Sequence, residues 1–166
     1  MNQLRKYFFK INDLISRSLK ILMSTIIYFF ATFFVIFIRI IRPIVLVRYG
    51  HLFSYRIGHF AGNTELYLCE KEAGINTPQK FTLDLFYIEK PISNYQLMKM
   101  WKRLLIILPS WLICRIRIIN KLIPGSNIHE VSHESNMDRD IYNLLDKYSS
   151  HLAFTSEEEN KGKEGL

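Results

Sequence analysis

The sequence predicts an α/β fold in which an N-terminal hydrophobic membrane helix precedes an incomplete Rossmann-like unit of parallel strands and helices. Residues 21–38 form an uncharged run of 18 residues, and beyond residue 43 β-branched runs alternate with amphipathic segments. The length of 166 residues accommodates one small domain beside a membrane segment. The predicted units are a basic N-terminal segment (1–42), an α/β domain (43–154) and the start of a linker helix (155–166).

The first third of the chain is predicted to contact a membrane. Residues 1–60 hold nine basic residues and one acid, against thirteen basic and fourteen acidic residues in 61–166. At about 1.5 Å per residue the uncharged run covers about 27 Å, so it can just span a bilayer or lie in its surface. Basic residues on both flanks favour a helix that dips into one leaflet. Arg39 to Pro43, which follow, do not resemble a signal-peptide cleavage site.

Strand and helix signals then alternate. The β-branched run at residues 44–50 predicts a buried strand, and residues 81–89 predict a second one. Between them Asn63 is expected to cap a helix over 64–74, which Gly74 ends.

A further helix is predicted after Ser93 and Gln96, which form a capping box. Its apolar stripe is Leu97, Met100, Trp101, Leu104, Leu105 and Leu108. Residues 99–121 carry six basic residues, no acid, and tryptophans at 101 and 111, which is typical of an interfacial membrane helix. The longest uncharged stretch has eleven residues, too few to cross a bilayer. Core packing and contact with anionic lipid are both open interpretations.

The C-terminal third of the sequence is mostly polar and predicts two short helices. A short helix with the apolar face Ile141, Leu144, Leu145 and Tyr148 follows a polar stretch at 126–136. Thr155 and Ser156 each precede a glutamate by three residues and predict another helix start. That helix has no apolar face, and we expect it to be the beginning of a linker in an interrupted sequence.

Residues 56–65, RIGHFAGNTE, are a candidate ligand loop between a predicted strand and a predicted helix. Open α/β sheets bind ligands at this position, and amides at a helix start accept anions. Arg56 can pair with phosphate, Gly58 permits close backbone approach, and His59 can donate or accept a proton. A structural turn beside the membrane is the alternative, because no glycine-rich phosphate motif is present.

The pentapeptide His129-Glu130-Val131-Ser132-His133 matches a zinc-peptidase pattern, with two metal ligands around a general base. Turn-forming residues flank it, whereas this chemistry requires a stable helix. The favoured interpretation is a polar surface loop. Zinc binding by His129 and His133, with His151 or Glu157 as a third ligand, is the alternative.

Other features argue against further classes of protein. Cys69 and Cys114 lack the spacing of a metal knuckle and indicate a reducing, cytoplasmic environment. His51 is expected to contribute to packing. Because the basic residues flank apolar runs and do not line a polar groove, no nucleic-acid partner is expected.

Five blocks of the sequence resemble, in order, the N-terminal part of a family of bacterial glycosyltransferases found with surface-polysaccharide biosynthesis. They lie within residues 40–166 and are RIGHFAGNTELYLCE, KPISNYQLMKMWKR, IPG, RDIYNLLD and HLAFTSEEENKGKEGL. The resemblance implies the first domain of a two-domain GT-B enzyme, without the nucleotide-sugar-binding half. It implies a cleft formed by Arg56, Gly58, Asn63 and Glu65 as substrate-binding residues and His59 as a catalytic base.

The implied function is transfer of a sugar from a nucleotide sugar to a membrane-associated acceptor in surface polysaccharide or lipopolysaccharide biosynthesis. The implied partners are membrane lipid, a lipid-linked or polysaccharide acceptor and the nucleotide sugar, and no cofactor is expected. The expected location is the bacterial inner membrane, with the α/β domain on the cytoplasmic face. Activity of this chain alone is left open, and a membrane-tethered zinc metallopeptidase and a non-catalytic membrane-anchored remnant are the alternatives.

Overall fold

The computed structural model describes residues 2–75, 77–131 and 140–164. The protein is α/β, with one long apolar N-terminal helix and a three-stranded parallel sheet in the order β1-β2-β3. The helix contains a stretch, Tyr7–Ile41, that is long and apolar enough to cross a membrane. The elements are α1 (Asn2–Ile41), β1 (Leu46–Leu52), α2 (Thr64–Glu72), β2 (Thr82–Ile88), α3 (Tyr95–Leu104), β3 (Ile106–Leu108), α4 (Ser110–Lys121), α5 (Leu144–Lys147) and α6 (Ser156–Glu164).

The sheet lies between two layers of helices, and alternate strand residues point to each layer. The first core joins α1 and α4 to one face of the sheet and comprises Ala31, Val35, Ile38, Val47, Tyr49, Leu85, Tyr87, Ile113 and Ile116. The second core covers the opposite face and comprises Leu52, Phe60, Tyr67, Phe86, Leu97, Trp101, Leu105 and Val131. Burial on both faces explains why β1 and β2 carry apolar residues at both alternating sets of positions, with Arg48 and Asp84 as buried charged exceptions.

The first two strands confirm the sequence prediction, with β1 two residues later than expected and β2 one residue shorter at each end. Leu46 pairs with Thr82 and Leu52 with Ile88, so the strands run in parallel without a shift along their whole length. Gly50 is required in β1 because a Cβ there would overlap the Phe86 ring.

The third strand was not predicted. The helix that was expected to continue to Leu108 ends at Leu104, and Ile106–Leu108 pairs with β2. Isoleucines at 106 and 107 favour extended backbone, and Pro109 disfavours a helical conformation for the residue before it. These local preferences, together with the pairing to β2, outweigh the apolar spacing on which the longer helix was predicted.

Two of the predicted helix caps are wrong. Asn94, not Ser93, caps α3, because its side chain accepts a hydrogen bond from Leu97 N at 2.9 Å. Asn63 has helical backbone and does not cap α2. Gly74, by contrast, has a φ of +69° and ends this helix as predicted.

The two tryptophans of residues 99–121 have different environments. Trp101 is fully buried in the second core, whereas Trp111 on α4 is 53% exposed. The core interpretation is therefore confirmed for the first tryptophan, and contact with lipid stays a prediction for the second.

The C-terminal elements confirm the sequence prediction in part. The capping box of α6 is present, since Glu158 N donates to Thr155 Oγ1 at 3.3 Å and Thr155 N donates to Glu158 Oε2 at 2.8 Å. Arg103 donates to Glu158, and this contact contributes most to lowering the pKa of Glu158 to about 2. In α5, however, Leu144 is buried while Leu145 is exposed, so the predicted apolar face is narrower than expected.

Candidate functional site

The candidate site is the segment that joins β1 to α2, which we call the β1–α2 turn (residues 53–63). It lies at the carboxyl edge of the sheet, immediately after Leu52. Ser54 holds it to the loop that follows β2, because Ser54 Oγ donates to Glu89 O at 2.5 Å and Ser54 O accepts from Ser93 N at 2.8 Å. The turn is therefore fixed to two neighbouring strand ends.

A π-helical turn at His59–Asn63 lies inside this segment. Phe60 is fully buried, and its carbonyl oxygen accepts a hydrogen bond from Trp101 Nε1 at 2.9 Å. The bond to α3 satisfies a carbonyl within the irregular turn. Insertions of this kind in helices are frequent at functional sites.

The start of the turn is open to solvent. Arg56 is exposed, with its guanidinium carbon 5.6 Å from the centre of the Tyr55 ring. Gly58 is also exposed, and a Cβ built on it would meet no heavy atom within 4 Å beyond its chain neighbours and its own helix backbone. Phe60 N donates to Arg56 O, so helical hydrogen bonding begins here rather than at Asn63. The amides of the first helical turn therefore lie beside Arg56.

His59 and Asn63 lie within hydrogen-bond distance, as Asn63 Nδ2 is 3.2 Å from His59 Nδ1. When the amide donates to Nδ1, a neutral imidazole carries its proton on Nε2. The role of His59 as a catalytic base stays a prediction.

Glu65 does not join the other predicted cleft residues. Its Oε1 atom lies 2.8 Å from both His151 N and His151 Nδ1. It therefore fastens α2 to the segment that precedes α6. The structure brings Arg56, Gly58, His59 and Asn63 to one end of the helix and places Glu65 in a different contact.

A histidine at the same sheet edge was expected only to pack. The ring of His51 lies between Phe53 and Tyr87, at centroid distances of 4.6 and 4.8 Å, and its Nε2 atom is 4.0 Å from Glu89 Oε2. Burial lowers the pKa of His51. The packing interpretation is confirmed, and the nearby carboxylate is a contact that the sequence pattern did not indicate.

A buried ionic cluster joins β1, β2 and α2. Asp84 accepts hydrogen bonds from Arg48 at 2.6 and 2.9 Å, from Tyr67 at 2.5 Å and from Lys71 at 3.1 Å. Burial alone would raise the pKa of Asp84, but these hydrogen bonds outweigh it and lower the pKa. The carboxylate is therefore charged and serves as a structural bridge.

The surface-loop interpretation of the zinc-like pentapeptide is wrong for His129. Its side chain is fully buried, and Nδ1 donates to Val47 O at 2.7 Å because its segment packs beside β1. Glu130 uses both carboxylate oxygens to contact Arg117, at 3.1 and 2.6 Å. Residues 132–139, including His133, lie outside the described residues. His129 therefore binds the backbone of β1, and Glu130 forms an ion pair with Arg117 of α4.

Two further features could hold ligands. An open cleft of about 560 Å³ at the amino edge of the sheet is lined in part by Arg42, Lys80 and Glu130. Elsewhere, one potential metal-ligating atom from each of Glu65, Cys69 and His151 lies within 4.8 Å of the other two.

Comparisons with protein-family models, curated proteins and solved structures found no match to this chain.

Proposed function

We propose that this chain is the membrane-bound, acceptor-binding part of a glycosyltransferase that uses a nucleotide sugar. The observation that carries the proposal is the open β1–α2 turn at the carboxyl edge of a parallel sheet, with Arg56 exposed beside the amides of a helix start. Parallel α/β sheets bind ligands at this edge, and such amides favour anions. The resemblance to surface-polysaccharide glycosyltransferases supplies the reaction class.

In this proposal the turn binds the phosphate of a lipid-linked acceptor. Arg56 pairs with phosphate oxygens, and the first-turn amides complete the anion contact. His59 contacts the acceptor from the same turn. The Rossmann-like sheet would form one wall of a GT-B cleft, and a second α/β domain would hold the nucleotide sugar opposite this edge.

Helix α1 supports a membrane-surface location because apolar residues form an exposed face along it. Residues on this face recur every three or four positions, except for one interval of seven at Ser18, and are between 41% and 71% exposed. They are Phe8, Ile11, Ile15, Leu22, Ile26, Phe29, Phe33, Ile36 and Ile40. We call this set the apolar face of α1.

The residues on the opposite side of α1 form one stripe, of which the N-terminal half is charged and the C-terminal half packs against the α/β domain. Its N-terminal half carries Lys10, Asp13, Arg17 and Lys20, and its C-terminal half carries the buried residues Ala31, Val35 and Ile38. At about 100° per residue these positions share an arc of about 80°. The charged half and the domain-packing half of the helix therefore face the same way.

This arrangement favours a helix that lies in the plane of the bilayer. At about 1.5 Å per residue, the 40 residues of α1 extend about 60 Å, roughly twice the hydrocarbon thickness. An in-plane helix buries its apolar face in lipid and keeps both its charges and the α/β domain on one side. That side is the cytoplasmic face of a bacterial inner membrane, where nucleotide sugars are available to the enzyme.

A transfer assay tests the proposed function. In membranes of cells that make the enzyme, replacing Arg56 and His59 together by alanine should lower sugar transfer to the acceptor at least about tenfold, because each hydrogen bond to a charged group contributes about 1.5 to 3 kcal/mol. Lys102→Ala, on the exposed surface of α3, should leave the rate unchanged. An unchanged rate in the double variant would refute the role of the turn.

The zinc-peptidase alternative gains no specific support from the described residues, since His129 and Glu130 are engaged with Val47 and Arg117. A non-catalytic anchor would have the same membrane contacts. It would bind no acceptor at the β1–α2 turn, and the assay above distinguishes it.

A further inference from the structure

Three side chains of different chemistry converge between α2 and the segment before α6. Glu65 and Cys69 are four residues apart and therefore share one face of α2. His151 comes from a distant part of the sequence and lies against that face, with Nδ1 at 2.8 Å from Glu65 Oε1. One ligand atom from each residue lies within 4.8 Å of the others.

We propose that Glu65, Cys69 and His151 bind a zinc ion that fastens the segment before α6 to α2. A thiolate, an imidazole and a carboxylate form a ligand set that Zn²⁺ accepts. Zinc–ligand bonds of about 2.0 to 2.3 Å place tetrahedral ligands about 3.5 Å apart, so small side-chain adjustments close the site.

The hydrogen bonds around the cluster fit this assignment. Glu65 Oε1 accepts from the backbone N–H of His151 at 2.8 Å, which leaves the second carboxylate oxygen for another contact. That second atom, Oε2, is buried and has no hydrogen-bond partner among the described residues. A metal ion would satisfy it.

The second nitrogen of His151 is also suitably placed. His151 Nε2 lies 3.3 Å from Glu72 Oε2. When Nδ1 binds a metal, Nε2 keeps its proton and donates to this carboxylate, and such contacts orient metal-binding histidines. Glu72 is therefore a positioning residue for the proposed ligand.

The electrostatic environment favours a cation at this position. Cys69 is 1% exposed. The negative charges of Glu65, Glu72 and Asp140 act on its thiol. Zinc binding replaces the thiol proton, which leaves to solvent, with a divalent cation that these carboxylates attract.

Zinc titration of the metal-free full chain in detergent tests the site. We expect one ion per chain, and a thiolate-to-metal absorption band when Co²⁺ replaces Zn²⁺. Cys69→Ala should lower zinc affinity at least about a hundredfold, and Glu72→Gln about tenfold. Cys69→Ala keeps the contact between Glu65 and His151, and circular dichroism checks that its helices remain.

Two variants serve as matched controls. Cys114→Ala removes the other cysteine, which is half-buried on α4, and should leave zinc binding unchanged. His133→Ala should also leave it unchanged, whereas a loss there would assign the metal to the peptidase-like motif. Absence of bound zinc, or equal affinity in Cys69→Ala, would overturn the proposal. The site is independent of the proposed function, because Arg56 and His59 contribute no ligand.

Discussion

Replacing Asp84 by asparagine is expected to lower the free energy of unfolding by about 3 to 5 kcal/mol, the range observed when one partner of a buried ion pair is removed. Asp84 and Arg48 are 6% and 4% exposed. Asparagine cannot provide the second charged oxygen that now accepts from Arg48, Tyr67 and Lys71. Urea unfolding of the full chain in detergent, followed by circular dichroism, measures the loss.

Two controls define the cause of this destabilisation. Asp146→Asn removes an exposed carboxylate on α5 and should change stability by no more than about 0.5 kcal/mol. Replacing Arg48 by methionine, Tyr67 by phenylalanine and Asp84 by leucine together should recover much of the loss, since a buried ionic cluster can be exchanged for apolar residues and the Lys71 side chain, 42% exposed, is solvated by water. A wild-type value for Asp84→Asn would show that the cluster does not stabilise the fold.

The proposed in-plane position of α1 predicts nearly opposite accessibility for two positions only two residues apart. In a chain whose native cysteines are replaced by alanine, Asp13→Cys should react with a water-soluble maleimide added on the domain side of lipid vesicles. Ile15→Cys should react at least about tenfold more slowly, because it lies on the apolar face and burial in lipid excludes the reagent. Both residues are more than half exposed in the protein itself. A difference between their labelling rates would therefore be caused by contact with lipid and not by burial within the protein.

Labelling of Lys102→Cys, an exposed position on α3, measures the fraction of chains whose α/β domain faces the reagent. The labelling rates at positions 13 and 15 are divided by this fraction. A spanning α1 would protect position 13 as strongly as position 15 from the domain side. Equal labelling of both positions would instead indicate that this half of the helix does not enter the lipid.

The structure was predicted most accurately where a local sequence pattern is compatible with only one backbone geometry. Gly74 ends α2, and Thr155 and Glu158 cap α6, because each signal depends on backbone geometry within a few residues. The apolar spacing around Leu108 had two solutions. A helix and a short strand both satisfy it, and β3 forms because strand pairing with β2 supplies partners that a local pattern does not contain.

The candidate site was predicted in position but not in detail. Gly58, Arg56 and His59 lie at the carboxyl edge of the sheet, where the strand and helix order indicated a ligand loop. The partner of Glu65 is His151, which is separated from it by 86 residues. Spacing along the chain carries no information about such a contact. The burial of His129 likewise depends on pairing beside β1, which its polar neighbours did not indicate.

Photolabelling of an acceptor analogue tests the central claim most directly, namely that the β1–α2 turn contacts a phosphate-bearing lipid acceptor. The full chain in lipid nanodiscs is exposed to a polyprenyl-phosphate analogue with a photoreactive group beside the phosphate, and the labelled peptide is identified by mass spectrometry. The account predicts label within residues 53–63, reduced about tenfold or more by Arg56→Ala and unchanged by Lys102→Ala. Label confined to the cleft beside Arg42 and Lys80, or label in the turn that Arg56→Ala does not reduce, would contradict it.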